Sequence, residues 1–251
     1  MLFDLTIITG ASRGMGLAMA QQLLTPKCKL LCISRQTSTA LDALALEKGA
    51  SLTQWRLDLA DSTAAAEQLQ AWLTALPVEH IQSATLINNA CVIPDIVPLH
   101  AADPTDLAHA LRVGLEAPML LSAAFLNATR YWPIAKKVLN ISSGLGRRAM
   151  ASQSAYCAVK AGLDHFSRCL ALDEALQPHG ARVCALSPGI IDTEMQVQLR
   201  EADATQFPDR SSFSDLYAQG QLTPPDVAAK RVLTYLMRAD FGDQPVADVR
   251  H

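Results

Sequence analysis

The chain has 251 residues, half of them apolar and 18% charged, a balance that supports a packed core and excludes a disordered chain. A net charge of -3 argues against nucleic acid as a partner, and no apolar run approaches the ~20 residues of a membrane span. The basic pairs Lys136-Lys137 and Arg147-Arg148 read as solvated surface.

In chain order, "LFDLTIIT" (2–9) reads as a buried strand and "GLAMAQQLL" (16–24) as a helix stopped by Pro26. A second strand, "KLLCIS" (29–34), precedes a helix at 41–49 closed by Gly49. "SLTQWRLDL" (51–59) is a third strand, followed by a helix at 61–76 with Asp61 or Ser62 as its cap. "ATLINNA" (84–90) is a fourth strand, and residues 103–129 read as one long helix with Pro104 in its first turn. "KKVLNISS" (136–143) and "ARVCALSPG" (181–189) are further strands on either side of a long helix at 152–176. The segment at about 194–223 is polar and without clear period, so it reads as a substrate loop. A helix at 225–239 and a short strand at 244–249 complete the chain. Strands apolar on both faces, alternating with helices, predict an α/β fold. It is a single-domain, Rossmann-like, doubly wound parallel sheet, spanning 1–251 with its loop before the last helix.

Cys28, Cys32, Cys91, Cys157, Cys169 and Cys184 show no metal-ligand or C-x-x-C spacing. They are expected to be small buried residues in a cytoplasmic protein without a metal. The start "MLFDLTIITG" lacks the basic segment of a targeting sequence.

"TGASRGMG" (9–16) follows a strand and opens a helix, the setting in which glycines let a backbone approach a phosphate. Its spacing, G-x-x-x-G-x-G, differs from the G-x-G-x-x-G dinucleotide fingerprint. Tyr156 and Lys160 stand four apart in a helical segment and so share a side. An ammonium there would lower the phenol's pKa, which is ordinarily near 10.

Thr9-Gly10-x-x-x-Gly14-x-Gly16, "NNA" at 88–90, Ser143, "YCAVK" at 156–160 and "PGIIDTEM" at 188–195 together resemble the short-chain dehydrogenase/reductase family. The resemblance implies a nicotinamide cofactor held by Gly10, Ser12, Arg13, Gly14, Met15 and Gly16. It implies further contacts from Asp58 and Leu59 beside the adenine, and from Asn89 and Ala90 after the fourth strand. Pro188, Gly189, Ile191 and Thr193 would stand near the nicotinamide. It also implies Ser143 as hydrogen-bond donor to the substrate oxygen, Tyr156 as proton donor, and Lys160 serving both the ribose and the tyrosine.

At the end of the second strand an acid would suit NAD. Ser34 and Arg35 stand there instead, and Arg13 adds a charge, which favours NADPH/NADP. Two positions depart from the family pattern. Cys91 replaces a glycine, and Gly114 replaces an asparagine that helps hold a water linked to the lysine. Gly114 keeps its carbonyl and tolerates the helix distortion such a water requires.

Within the family, "LINNA", "YCAVKAGLDHF" and "PGIIDTEMQVQLRE" are most similar to sepiapterin reductases and bacterial benzil reductases. His251 stands where the sepiapterin enzymes carry a pterin-anchoring Asp, so a pterin is not the expected substrate. The expected function is NADPH-dependent reduction of a small-molecule ketone or vicinal dicarbonyl, in a homodimer or homotetramer. The alternatives are an NAD(P)-linked alcohol dehydrogenase of the same family and a catalytically weakened nucleotide-binding regulator.

Overall fold

A computed structural model describes residues 2–250. The strands β1 (Phe3–Thr9), β2 (Cys28–Ser34), β3 (Ser51–Arg56), β4 (Ile81–Asn88), β5 (Ala135–Ile141), β6 (Arg182–Ser187) and β7 (Val246–Asp248) make one sheet. Their order is β3-β2-β1-β4-β5-β6-β7, and every pairing is parallel. The helices are α1 (Gly14–Leu23), α2 (Thr39–Glu47), α3 (Ser62–Thr74), α4 (Pro104–Leu111), α5 (Ala117–Thr129), α6 (Ser154–Ala175), α7 (Glu194–Glu201), α8 (Arg210–Ala218) and α9 (Pro225–Leu236).

The strands are apolar on both faces because each face is covered. Along β1, Ile8 packs with α1, α2 and α9, while Leu5 and Ile7 point into a second core under α3, α5 and α6. The chain leaves β1 toward β2 and β3, then returns to place β4 on β1's other side. That reversal opens a crevice at the carboxyl ends of β1 and β4, the place where open parallel sheets bind ligands.

Four expectations need correction. The helix expected over 103–129 is interrupted by a π-helical turn, Arg112–Glu116, centred on Gly114. A Cβ on Gly114 would stand 2.6 Å from Val159 Cγ1 of α6, so glycine lets the widened turn press against the neighbouring helix. Lys136 and Lys137 are not solvated surface. Lys136 is buried with its ammonium donating to the Thr129 carbonyl, and Lys137 lies over the Phe241 ring. Both use an apolar stem to cover core and spend the charge on backbone oxygen or a ring. Of the cysteines, Cys28, Cys32 and Cys184 are buried, but Cys91 and Cys157 are half-buried and Cys169 is exposed. Burial pushes the Cys28 thiol up to about 11 and those of Cys32 and Cys184 to about 12.

The segment read as a structureless loop folds into α7 and α8. Its ends are clasped by a bridge between Ile191 and Thr223. It has its own small core, in which Ile96, Leu199 and Phe207 are buried against Met150 and Phe213. Phe207 is fully buried and stacks on Phe213 with ring centroids 5.7 Å apart. Among the described residues no helix is long and apolar enough to cross a membrane.

Because this cluster is separate from the two main cores, Phe207→Ala should loosen the segment without unfolding the sheet. Removing a buried Phe costs about 3–5 kcal/mol. Limited proteolysis should cut faster between 202 and 213, with amide exchange in β1, β4 and β5 unchanged. Equal loss of protection throughout would contradict an independent cluster.

Candidate active site

A cleft of about 1150 Å³ lies over the carboxyl ends of the strands, and every site residue named from the sequence lines it. The floor is set by the turn from β1 to α1. Gly10 has φ +69° and Gly14 φ +54°, values that disfavour a side chain. At Gly16 a Cβ would fall 2.1 Å from the Gly10 carbonyl oxygen, so the helix starts as close to the strand as a backbone permits.

Side chains pin that turn to its neighbours. Asn89 donates from Nδ2 to the carbonyls of Thr9 (2.9 Å) and Gly10 (3.2 Å). Thr9 Oγ1 accepts from the backbone N–H groups of Asn89 and Ala90, each at 3.0 Å. Ser34 Oγ accepts from the Ala11 N–H at 2.8 Å, so the residue that closes β2 also shapes the glycine turn. These bonds hold α1's amino end toward the cleft, with its free N–H groups and the positive end of its dipole.

Arg13 and Arg35 stand exposed at this end of the cleft, and Arg56, from the end of β3, joins them. Ser34 and Arg56 are register partners across β2 and β3, which explains the proximity. No ion pair to a carboxylate involves any of the three among the described residues. Asp58 also lines this end, its Oδ1 accepting from the Ala60 N–H at 2.9 Å. Arg56 went unnoticed in the sequence because only the pairing of β2 with β3 brings it beside Arg35.

The middle of the cleft holds Ser143, Tyr156 and Lys160. Ser143 follows β5 as the chain leaves the sheet, while Tyr156 and Lys160 occupy one side of α6. Tyr156 is 8% exposed and Lys160 3%. The Lys160 ammonium donates to the Ile141 carbonyl at 2.8 Å and lies 5.6 Å from the centre of the Tyr156 ring.

Burial pushes the Tyr156 phenol above its ordinary pKa, against the downward pull of Lys160 and of a hydrogen bond with Ser143. The lowering anticipated from the ammonium is therefore outweighed in the protein alone, and the phenol keeps its proton. Burial also opposes the Lys160 charge. The negative charge that Cys91, Tyr156 and Asp164 carry when ionised and the hydrogen bond with Cys91 outweigh it, and the Lys160 pKa lies above its usual value. Cys91 Sγ stands 3.4 Å from where a Gly114 Cβ would be, so the two departures from the family pattern occupy one corner beside Lys160.

The outer end of the cleft is built from Leu145, Met150, Gln153, Leu199 and Phe213. Pro188, Gly189, Ile191 and Thr193 form the near edge of the α7–α8 segment. Arg148, read from the sequence as solvated surface, lines the cleft, and its neighbour Arg147 reaches Asp248 at 3.8 Å. Asp248 also pairs with Arg250, whose hydrogen bonds hold that carboxyl down at about 2. His251 lies outside the described residues.

Gly16→Ala is expected to break the β1–α1 turn, because the methyl would meet a backbone oxygen that cannot rotate away. The melting temperature should fall by several degrees; an unchanged melting curve would show that the turn has room the structure does not give it.

The comparisons agree with this geometry. The family model described as short chain dehydrogenase matches residues 4–204. The chain is 32% identical to a Bacillus cereus benzil reductase, (S)-benzoin forming, over 94% of both proteins. It is 31% identical to the sepiapterin reductase of Bos taurus, over 94% of this chain and 91% of that one. Among solved structures, a short-chain dehydrogenase/reductase from Burkholderia vietnamiensis is 34% identical with a TM-score of 0.66, covering 99% of this chain and 97% of its own. A metagenomic short-chain oxidoreductase in complex with NADP is 25% identical with a TM-score of 0.71, over 98% and 94% of the two chains. With the sheet order, the glycine turn and the Ser143, Tyr156 and Lys160 cluster in one cleft, the chain belongs to the short-chain dehydrogenase family of oxidoreductases.

Proposed function

We propose that the protein is an NADPH-dependent carbonyl reductase that converts a ketone or a vicinal dicarbonyl to the alcohol, with Tyr156 as proton donor. The observation that carries the reading is one cleft with unpaired arginines at one end and a buried, protonated tyrosine beside an ammonium in the middle. The residues present fit a dinucleotide. Glycine at 10 and 16 lets the turn close on the β1 backbone and on Asn89 where a Cβ would collide, which leaves the α1 amino end open to the cleft. Arg13, Arg35 and Arg56 supply cationic donors for a 2'-phosphate. The NADP of the metagenomic relative and the names of the benzil reductases support the same assignment.

When bound, NADPH supplies the hydride. The amino end of α1 would receive its pyrophosphate, and Lys160 would hold the ribose of the nicotinamide half. Ser143 donates to the substrate oxygen and orients it toward Tyr156. As negative charge develops on that oxygen, the Tyr156 hydroxyl gives up its proton. The phenolate left behind is stabilised by the Lys160 ammonium, whose anchoring to the Ile141 carbonyl fixes its place. A protonated phenol is the state that can donate to the developing alkoxide. The apolar outer end of the cleft suits a substrate with an aromatic or aliphatic body. A pterin is disfavoured, since Asp248, the carboxylate of β7, is paired with Arg147 and Arg250 and is not among the residues that line the cleft. Exposed Leu111, Met119 and Leu172 on α4, α5 and α6, with Leu176 at the C-cap of α6, give apolar surface suited to a dimer or tetramer. The site and its reduced thiols suit a cytoplasmic enzyme.

Tyr156→Phe should retain the fold and NADPH binding while lowering kcat by roughly 10²–10⁴-fold. Turnover within a few-fold of the native rate would move the proton donor elsewhere. Native protein should bind NADPH more tightly than NADH, and replacing Arg13 and Arg35 by alanine should remove most of that preference. Each charge-assisted contact contributes roughly tenfold or more. Equal affinity of the native protein for the two coenzymes in a fluorescence titration would refute the assignment of the arginines.

A further inference from the structure

Two side chains in the wall of the cleft carry buried amide atoms with no hydrogen-bond partner among the described residues. Gln153 is 1% exposed, and neither its Oε1 nor its Nε2 makes a hydrogen bond. Gln196, on α7, is 8% exposed with its Oε1 likewise unpartnered. Both line the cleft that contains Ser143 and Tyr156. A buried amide left unsatisfied is unfavourable, and methionine would fill similar space without that penalty. Such groups call for a partner that the fold itself does not provide.

The backbone also holds Gln153 in place at a cost. Its predecessor Ser152 has φ +58° and is the one non-glycine residue with positive φ among those described. Strain of this kind persists where the surroundings over-determine it, commonly at functional sites. Here the Ser152 hydroxyl donates to the Gln206 carbonyl at 2.6 Å, tying the approach to α6 to the connection between α7 and α8. The bond that fixes Gln153 therefore also fixes the segment that carries Gln196.

We propose that Gln153 and Gln196 form a second polar subsite that holds an oxygen adjacent to the carbonyl being reduced. The enzyme is then built for substrates with two neighbouring oxygens, 1,2-diketones and α-hydroxyketones, rather than for isolated ketones. Gln153 is the N-cap of α6, at the start of the turn that carries Tyr156, and lines the same cleft. A substrate whose carbonyl meets Tyr156 would present its neighbouring oxygen to that wall of the cleft. A carboxamide both donates and accepts, so it serves a second carbonyl through Nε2 and a hydroxyl through Oε1. Leu145, Met150, Leu199 and Phe213 supply apolar surface beside the two amides, and Arg148, Asp209 and Ser212 line the same cleft.

The inference rests on the carbonyl-reductase reading, and one experiment separates the two. The ratio of kcat/KM for 1-phenyl-1,2-propanedione to that for propiophenone, the same skeleton with one carbonyl fewer, is measured with NADPH. It is compared between native enzyme, Gln153→Met and Gln196→Met, with melting temperature and NADPH titration confirming that each variant is folded and loaded. The ratio should fall about tenfold in each variant, and the melting temperature should hold or rise as an unpaired buried amide is removed. An unchanged ratio, whatever becomes of the separate rates, overturns the subsite alone. Native enzyme that turns over neither ketone overturns the reductase reading, and the subsite with it.

Discussion

The contact between the start of α1 and the end of β1 governs the rest of the molecule. With no side chain at Gly16, the helix begins against the Gly10 carbonyl, and Asn89 grips that carbonyl from β4. One small cluster of hydrogen bonds thereby links β1, α1 and β4 at the point where the sheet's winding reverses. The crevice there inherits the free N–H groups of a helix end, and the ends of β2 and β3 deliver Arg35 and Arg56 to join Arg13 of the glycine turn. A bulkier residue at either glycine would push α1 outward and dissolve both the anion seat and the alignment of the cleft.

The other half of the cleft depends on burial rather than close approach. Tyr156 and Lys160 are almost wholly removed from solvent, so each acts strongly on the other. Burial raises the pKa of the phenol, and the Ile141 carbonyl fixes the ammonium beside its ring. Gly114 belongs to this arrangement. Its lack of a side chain admits Val159 on one side and Cys91 on the other, and the π-helical turn around it accommodates the crowding.

Much of this was legible in the sequence. Apolar runs alternating with helical periods gave the parallel sheet, since a strand covered on both faces has no polar side to reveal. The spacing of Tyr156 and Lys160 placed them on one side of a helix, and the glycine turn stood in its strand-to-helix setting. Residues whose meaning comes from distant pairing were hidden. Arg56 became part of the cleft through the register of β2 against β3, and Arg148 through the chain's path after β5. The helices α7 and α8 escaped notice because α8 buries no side chain fully and α7 only Gln196 and Leu199, so little apolar period is present to read. Lys136 looked like surface because its burial depends on a carbonyl donated by the end of α5. Gln153 and Gln196 carry no local signal at all; their significance lies in partners that are missing.

The central claim, that this cleft reduces a carbonyl with the hydride of NADPH, is tested most directly by following the hydrogen. The protein would be incubated with NADPH deuterated at both C4 positions and 1-phenyl-1,2-propanedione, and the product examined by mass spectrometry and NMR. One deuterium on the carbinol carbon of the resulting hydroxyketone is the predicted result. Consumption of NADPH without a deuterated alcohol, or an alcohol carrying solvent hydrogen on that carbon, would contradict it.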